Sequence, residues 1–160
     1  MQRPERPNVL LITADQLRFD AVEPGARIAR TPHLARLAAE GMRFTNAFSH
    51  FPVCAPARQS LLCGRRPESY GGLWNPRGAL PVGELAPEAW TWPAALRRAG
   101  YRTALIGVWD VSARHGPERY GYEEAVPESE YRRFLADAYP DVKYTNGFFG
   151  EPNPVPAEDA

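Results

Sequence analysis

The sequence predicts an α/β fold in which a mostly parallel sheet lies between two layers of helix, three layers in all. Three observations lead there. Residues 91–107 read as a capped helix followed at once by a strand, residues 31–48 repeat that order, and residues 8–14 form a continuous β-prone apolar run. Helix-then-strand units imply parallel pairing, and an unbroken apolar run suits a strand buried on both faces.

Size and charge set the bounds. A chain of 160 residues can build one core but hardly two, so one domain is expected over 1–146 with a loose Pro- and acid-rich tail over 147–160. Hydrophobic residues at 44% and charged residues at 24% belong to an ordinary soluble globular chain. Lys plus Arg and Asp plus Glu both number 19, which gives no reason to expect nucleic acid or an acidic membrane surface as partner. The first seven residues are polar with two prolines, and Asp15 interrupts the apolar run after them, so neither a signal peptide nor a membrane span is expected. With two cysteines and no export signal, the expected location is cytoplasmic.

In chain order, the run Asn8-Val9-Leu10-Leu11-Ile12-Thr13-Ala14 is the first expected strand, and Asp15-Gln16 follow at its carboxyl end. That is where open α/β sheets place ligands, although a carboxylate there can equally cap the next turn. Residues 18–30, with Pro24-Gly25 inside, read as a surface loop. Over 31–41, Thr31 serves as N-cap, Pro32 opens the helix, Leu34, Leu37 and Ala38 share a face, and Gly41 stops it. His33 then falls on the exposed first turn. Residues 42–48 alternate as a second strand.

The stretch from Val53 to Arg65 is a loop turning into a short helix. Pro56 suits the first turn, where its missing N–H costs nothing, and Gly64 suits the position just past the end. Cys54 therefore falls at the positive end of the helix, where free N–H groups favour anions, and Arg58 lies one turn on. Cys54 could act as an ordinary thiol nucleophile with His50, four residues earlier, as its base, but nothing in the sequence orients that imidazole. Cys54 and Cys63 are about two turns apart, beyond the ~7 Å reach of a disulfide.

Beyond Arg65 comes an irregular Gly-, Pro- and Trp-rich segment in which Trp74 and Asn75 either shape a pocket or cover core. The capped helix 91–100 leads into the strand 101–107, and residues 129–139 form an amphipathic helix ended by Pro140.

Cys54-Ala55-Pro56-Ala57-Arg58 resembles the C-x-P-x-R signature of the sulfatase family within the alkaline phosphatase superfamily, and Ser60-Leu61-Leu62-Cys63-Gly64-Arg65 is similar to the S-L-L-T-G-R that follows it. Residues 8–16, 31–41, 96–109 and 117–124 resemble further family segments in the right order. The resemblance implies a partial alkaline-phosphatase-like fold and a formylglycine-dependent sulfuric ester hydrolase, with a small sulfate or phosphonate ester as substrate. Under it, Cys54 is converted to formylglycine by a formylglycine-generating enzyme, and the aldehyde hydrate is the nucleophile. Arg58 orients that nucleophile and offsets its charge. Asp15 and position 54 bind a divalent metal, calcium, magnesium or manganese, which hard oxygen ligands suit. Many relatives have aspartate where Gln16 stands, so Gln16 would be a poor ligand in its place.

Two departures bear on substrate. Asp15-Gln16 resembles the branch of choline sulfatases and phosphonate monoester hydrolases, and Val108-Trp109-Asp110 replaces the lysine and histidine that flank the tryptophan in arylsulfatases. An Asp110 aimed at the site would face an anion, with about 4 kcal/mol of repulsion at ~4 Å and an effective dielectric near 20. Phosphonate or phosphate ester hydrolysis is therefore one alternative. Family members take their remaining metal ligands from a segment far beyond position 160, which implies the amino-terminal part of a longer enzyme. A non-catalytic remnant or binding module is the other alternative.

Overall fold

The computed structural model describes residues 6–22, 29–75 and 83–140; the tail 147–160 and the middle of the 18–30 loop lie outside them. The chain divides into two compact units, Met1–Phe48 and Ser49–Ala160, and it is a mixed α/β structure with a parallel sheet.

In the first unit, α1 (Pro32–Glu40) forms where Thr31 and Pro32 predict it, with Gly41 at its end. His33 is exposed as expected, but the two strands expected in this unit are corrected. Residues 8–14 form no strand, and Val9, Leu10 and Ile12 are 67%, 84% and 78% exposed. Residues 42–48 are likewise not a strand, and Met42, Phe44 and Phe48 are exposed. An apolar β-prone run becomes a buried strand only when a neighbour takes its backbone N–H and C=O groups. Among the described residues of this unit no such neighbour is present. A short 3-10 turn, Phe19–Ala21, carries the Arg18–Asp20 ion pair at 2.7 Å, and the Arg43 guanidinium lies 5.3 Å from the centre of the Phe19 ring.

The second unit holds the core. Helix α2 (Cys54–Cys63) buries Ala55, Pro56, Gln59, Leu62 and Cys63, a stripe at helical spacing. It closes on Gly64 in the left-handed conformation, with φ 66° and an N–H···O bond of 2.8 Å to Ser60. Helix α3 (Trp92–Arg98) is capped by Thr91, whose Oγ1 accepts from the Ala94 N–H and donates to the Tyr120 carbonyl at 2.7 Å. One buried hydroxyl thus starts the helix and pins it to the 3-10 turn Pro117–Tyr120.

Strand β1 (Ala104–Gly107) pairs in parallel with β2 (Glu124–Pro127), Leu105 opposite Ala125 and Ile106 opposite Val126. The sequence offered no alternating pattern for β2. Its register is started from outside, by Thr103 Oγ1 donating to the Gly121 carbonyl at 2.8 Å and the Glu123 N–H donating to the Thr103 carbonyl at 2.9 Å. Helix α4 (Glu128–Ala138) follows directly, as the amphipathic pattern predicts. No described helix is long and apolar enough to cross a membrane.

The crossover from β1 to β2 supplies Val111, Tyr120 and Tyr122, half of the buried cluster. Trp109 packs on Tyr120 at 5.3 Å and edge-on to Tyr122 at 6.2 Å, while Trp92 meets Tyr122 at 6.0 Å. Leu62 and Cys63 of α2, Leu85 and Val111 complete the cluster. Aromatic pairs of this geometry contribute about 0.5–1.5 kcal/mol each beyond area burial. Their position fixes the loop after β1 against α2.

Candidate active site

Cys54 is the first residue of α2, half-buried, with Val53 in extended conformation before it. The expected row of free N–H groups is shorter than the sequence suggested. Pro56 has no N–H, and the Ala55 N–H is taken at 3.0 Å by Oδ1 of Asn75, 20 residues downstream. Asn75, in the segment expected to line a site, caps the helix that carries Cys54. Such a cap satisfies a donor that the helix geometry leaves open.

Arg58 stands one turn after Cys54 and its Nη1 donates to the Val108 carbonyl at 3.2 Å. The next residue, Gln59, is fully buried, and its Nε2 donates to the Val111 carbonyl at 2.6 Å. Neighbouring side chains of α2 thus hold two carbonyls of one loop, three residues apart. Asp110 lies between those anchors, half-buried, while Trp109 Nε1 donates to the His115 carbonyl at 2.8 Å. The loop carrying Val108 and Asp110 is therefore bound to the helix that carries position 54.

Behind the helix, Tyr70 lies 3.5 Å from Ser60 Oγ and under the Arg65 guanidinium at 5.7 Å. Burial pushes the Tyr70 phenol above its ordinary range, a rise that the Ser60 contact partly opposes. Ser112 Oγ donates to Glu84 at 2.6 Å and accepts from the N–H groups of Arg114 and His115, which closes the far end of the loop.

His50 is exposed, and among the described residues no hydrogen bond joins it to Cys54. Both cysteines are free. Asp15 and Gln16 lie in a turn of the first unit, Asp15 exposed and Gln16 left-handed at φ 54°, uncommon for a residue with a Cβ. Among the described residues no group of three or more His, Cys, Asp or Glu side chains could hold a metal ion.

Gln59 is the residue that sequence reasoning missed. Its signal was available: it is the one polar position on the otherwise apolar stripe 55, 56, 59, 62, 63.

A model of the sulfatase family matches residues 7–149. The steryl-sulfatase of Mus musculus is 37% identical over 145 residues, covering 81% of this chain and 23% of that protein. Arylsulfatase A of Bos taurus is 37% identical over 139 residues, with 83% and 25% covered. The N-acetylgalactosamine-6-sulfatase of Homo sapiens is 32% identical over 157 residues, with 87% and 29% covered. The chain thus spans about a quarter of the length of these relatives. Among solved structures, one titled "Crystal structure of Ps i-CgsB" shares the fold with a TM-score of 0.53 at 24% identity, over 71% of this chain and 28% of that one.

Proposed function

The chain belongs to the sulfatase family, and on that premise we propose that it is the nucleophile-bearing part of a sulfuric ester hydrolase. One observation carries the reading: the C-x-P-x-R run is folded as a capped helix start, with Cys54 at its first position and Arg58 one turn later. Converted to formylglycine by a formylglycine-generating enzyme, position 54 would supply an aldehyde hydrate to attack the sulfur of a small sulfate ester. Arg58 offsets negative charge near position 54, and Asn75 and the buried Ala55 and Pro56 keep the helix start from moving.

Family resemblance also implies a divalent cation on Asp15 and position 54. Hard cations take six or more oxygen ligands, and the described residues bring together no such set. They do not fit a whole metal site, so no step is derived through the ion.

A second reading, phosphonate or phosphate ester hydrolysis, is favoured by Val108 and Asp110, which leave the loop beside Arg58 without the lysine and histidine. Both readings meet one experiment. The full chain is produced with a formylglycine-generating enzyme, the Cys54 peptide is examined by mass spectrometry, and cleavage of 4-nitrophenyl sulfate and of a phenylphosphonate ester is followed, with Cys54→Ala as blank. Aldehyde at 54 is expected, and any sulfate ester cleavage should be lost in the blank. Thiol retained throughout sinks the formylglycine reading, and phosphonate cleavage alone favours the second. Aldehyde without any cleavage fits a chain that bears the nucleophile but not a whole metal site.

A further inference from the structure

We infer that Gln59 is a positioning residue: its buried amide fixes the loop 108–111 against α2 and so sets in place the Val108 carbonyl that accepts from Arg58, one turn from position 54. The inference rests on the reading that Arg58 serves position 54.

Two hydrogen bonds tie this loop to the helix, and they differ in weight. The Arg58 bond to the Val108 carbonyl is 3.2 Å long and exposed. Its carbonyl and guanidinium are both open to water, so breaking it leaves neither group unpaired. The Gln59 bond to the Val111 carbonyl is 2.6 Å and buried, and Val111 is itself 4% exposed. Removing that donor strands a buried carbonyl at a cost of about 1–3 kcal/mol. The buried bond sets the loop; the exposed one follows it.

Gln59 keeps this role at a cost. Its Oε1 is buried with no hydrogen-bond partner among the described residues, whereas buried polar atoms are nearly always paired. The space it occupies is kept open by Gly72, where a Cβ would stand 2.6 Å from Oε1 and 2.5 Å from the Tyr70 ring. An apolar residue of equal length would remove the unpaired acceptor, yet it could not donate to Val111. Retaining the amide makes physical sense if the bond to the loop is what the position is for.

The test reads Arg58, not overall stability. In 1H–15N spectra of the full chain, Gln59→Met is expected to speed backbone amide exchange over residues 109–112 at least about tenfold and to shift the Arg58 guanidinium signals. Leu62→Ala, a core truncation on the same helix, should destabilise the chain and leave the Arg58 signals in place. Unchanged Arg58 signals in folded Gln59→Met overturn the inference. Should that variant not fold, the parent decides: Gln59 side-chain amide protons are expected to exchange at least about a hundredfold more slowly than those of exposed Gln16, and equal rates overturn the inference. Failure of these signals sinks the role of Gln59 alone, whereas failure of Cys54 conversion sinks the reaction alone.

Discussion

Oδ1 of Asn75 accepts the Ala55 N–H at 3.0 Å, so the start of the helix bearing Cys54 is closed by a residue 20 positions downstream. Asn75→Ala leaves that donor open and is expected to cost about 1 kcal/mol, as loss of a helix cap does. Asn75→Asp keeps the acceptor and puts a negative charge at a helix N-terminus, so it should hold parental stability. Urea midpoints of the two variants check this; equal losses in both would mean that the hydrogen bond contributes nothing.

Two glycines separate backbone conformation from packing. Gly64 has φ 66° with open space where a Cβ would go, so Gly64→Ala should cost only about 1 kcal/mol. Gly121 has φ 103°, and a Cβ there would run into the backbone of Ala94 at the start of α3. Gly121→Ala must therefore move the helix or the 3-10 turn, and a loss of more than about 3 kcal/mol is expected by thermal or urea unfolding.

The core gives a pH dependence with a definite sign. Burial pushes the Tyr122 phenol up to about 12 from an ordinary value of 10.0, and burial raises Tyr120 as well. Between those values the unfolded phenol loses its proton while the folded one keeps it, so the contribution is whole below pH 10 and disappears as pH rises toward 12. For Tyr122 alone the loss is about 2–3 kcal/mol. Tyr122→Phe should flatten that part of the stability curve; an unchanged alkaline slope would place the phenol in solvent.

The loop beside Arg58 offers a gain-of-binding test. Val108→Lys with Asp110→His removes one negative charge and adds positive charge on a segment bonded to Arg58 and Gln59. Inorganic sulfate should then bind about tenfold more tightly, roughly 1.4 kcal/mol, by titration calorimetry. No change in affinity would mean that these side chains do not reach the anion.

Local chemistry was legible where it is local. Pro32, Thr91 and Gly64 mark helix ends through a ring, a hydroxyl and a φ angle, and the structure has those ends in place, although the Thr31 side chain makes no cap bond to α1. The apolar run 8–14 was legible as β-prone but not as a strand, because strand formation depends on a neighbour's backbone. Strand β2 was invisible for the converse reason: Glu124-Ala125-Val126-Pro127 has little pattern of its own, and Thr103 sets its register from another segment.

By itself the sequence determined the helix carrying Cys54, the one-turn spacing to Arg58 and the family to which the chain belongs, since each is written in contiguous residues. Only the tertiary structure decided that Asn75 closes that helix and that Arg58 and Gln59 hold the loop after β1. Those bonds join residues 20 to 52 positions apart, and a pair so distant along the chain is specified by how the segments pack and not by any local pattern.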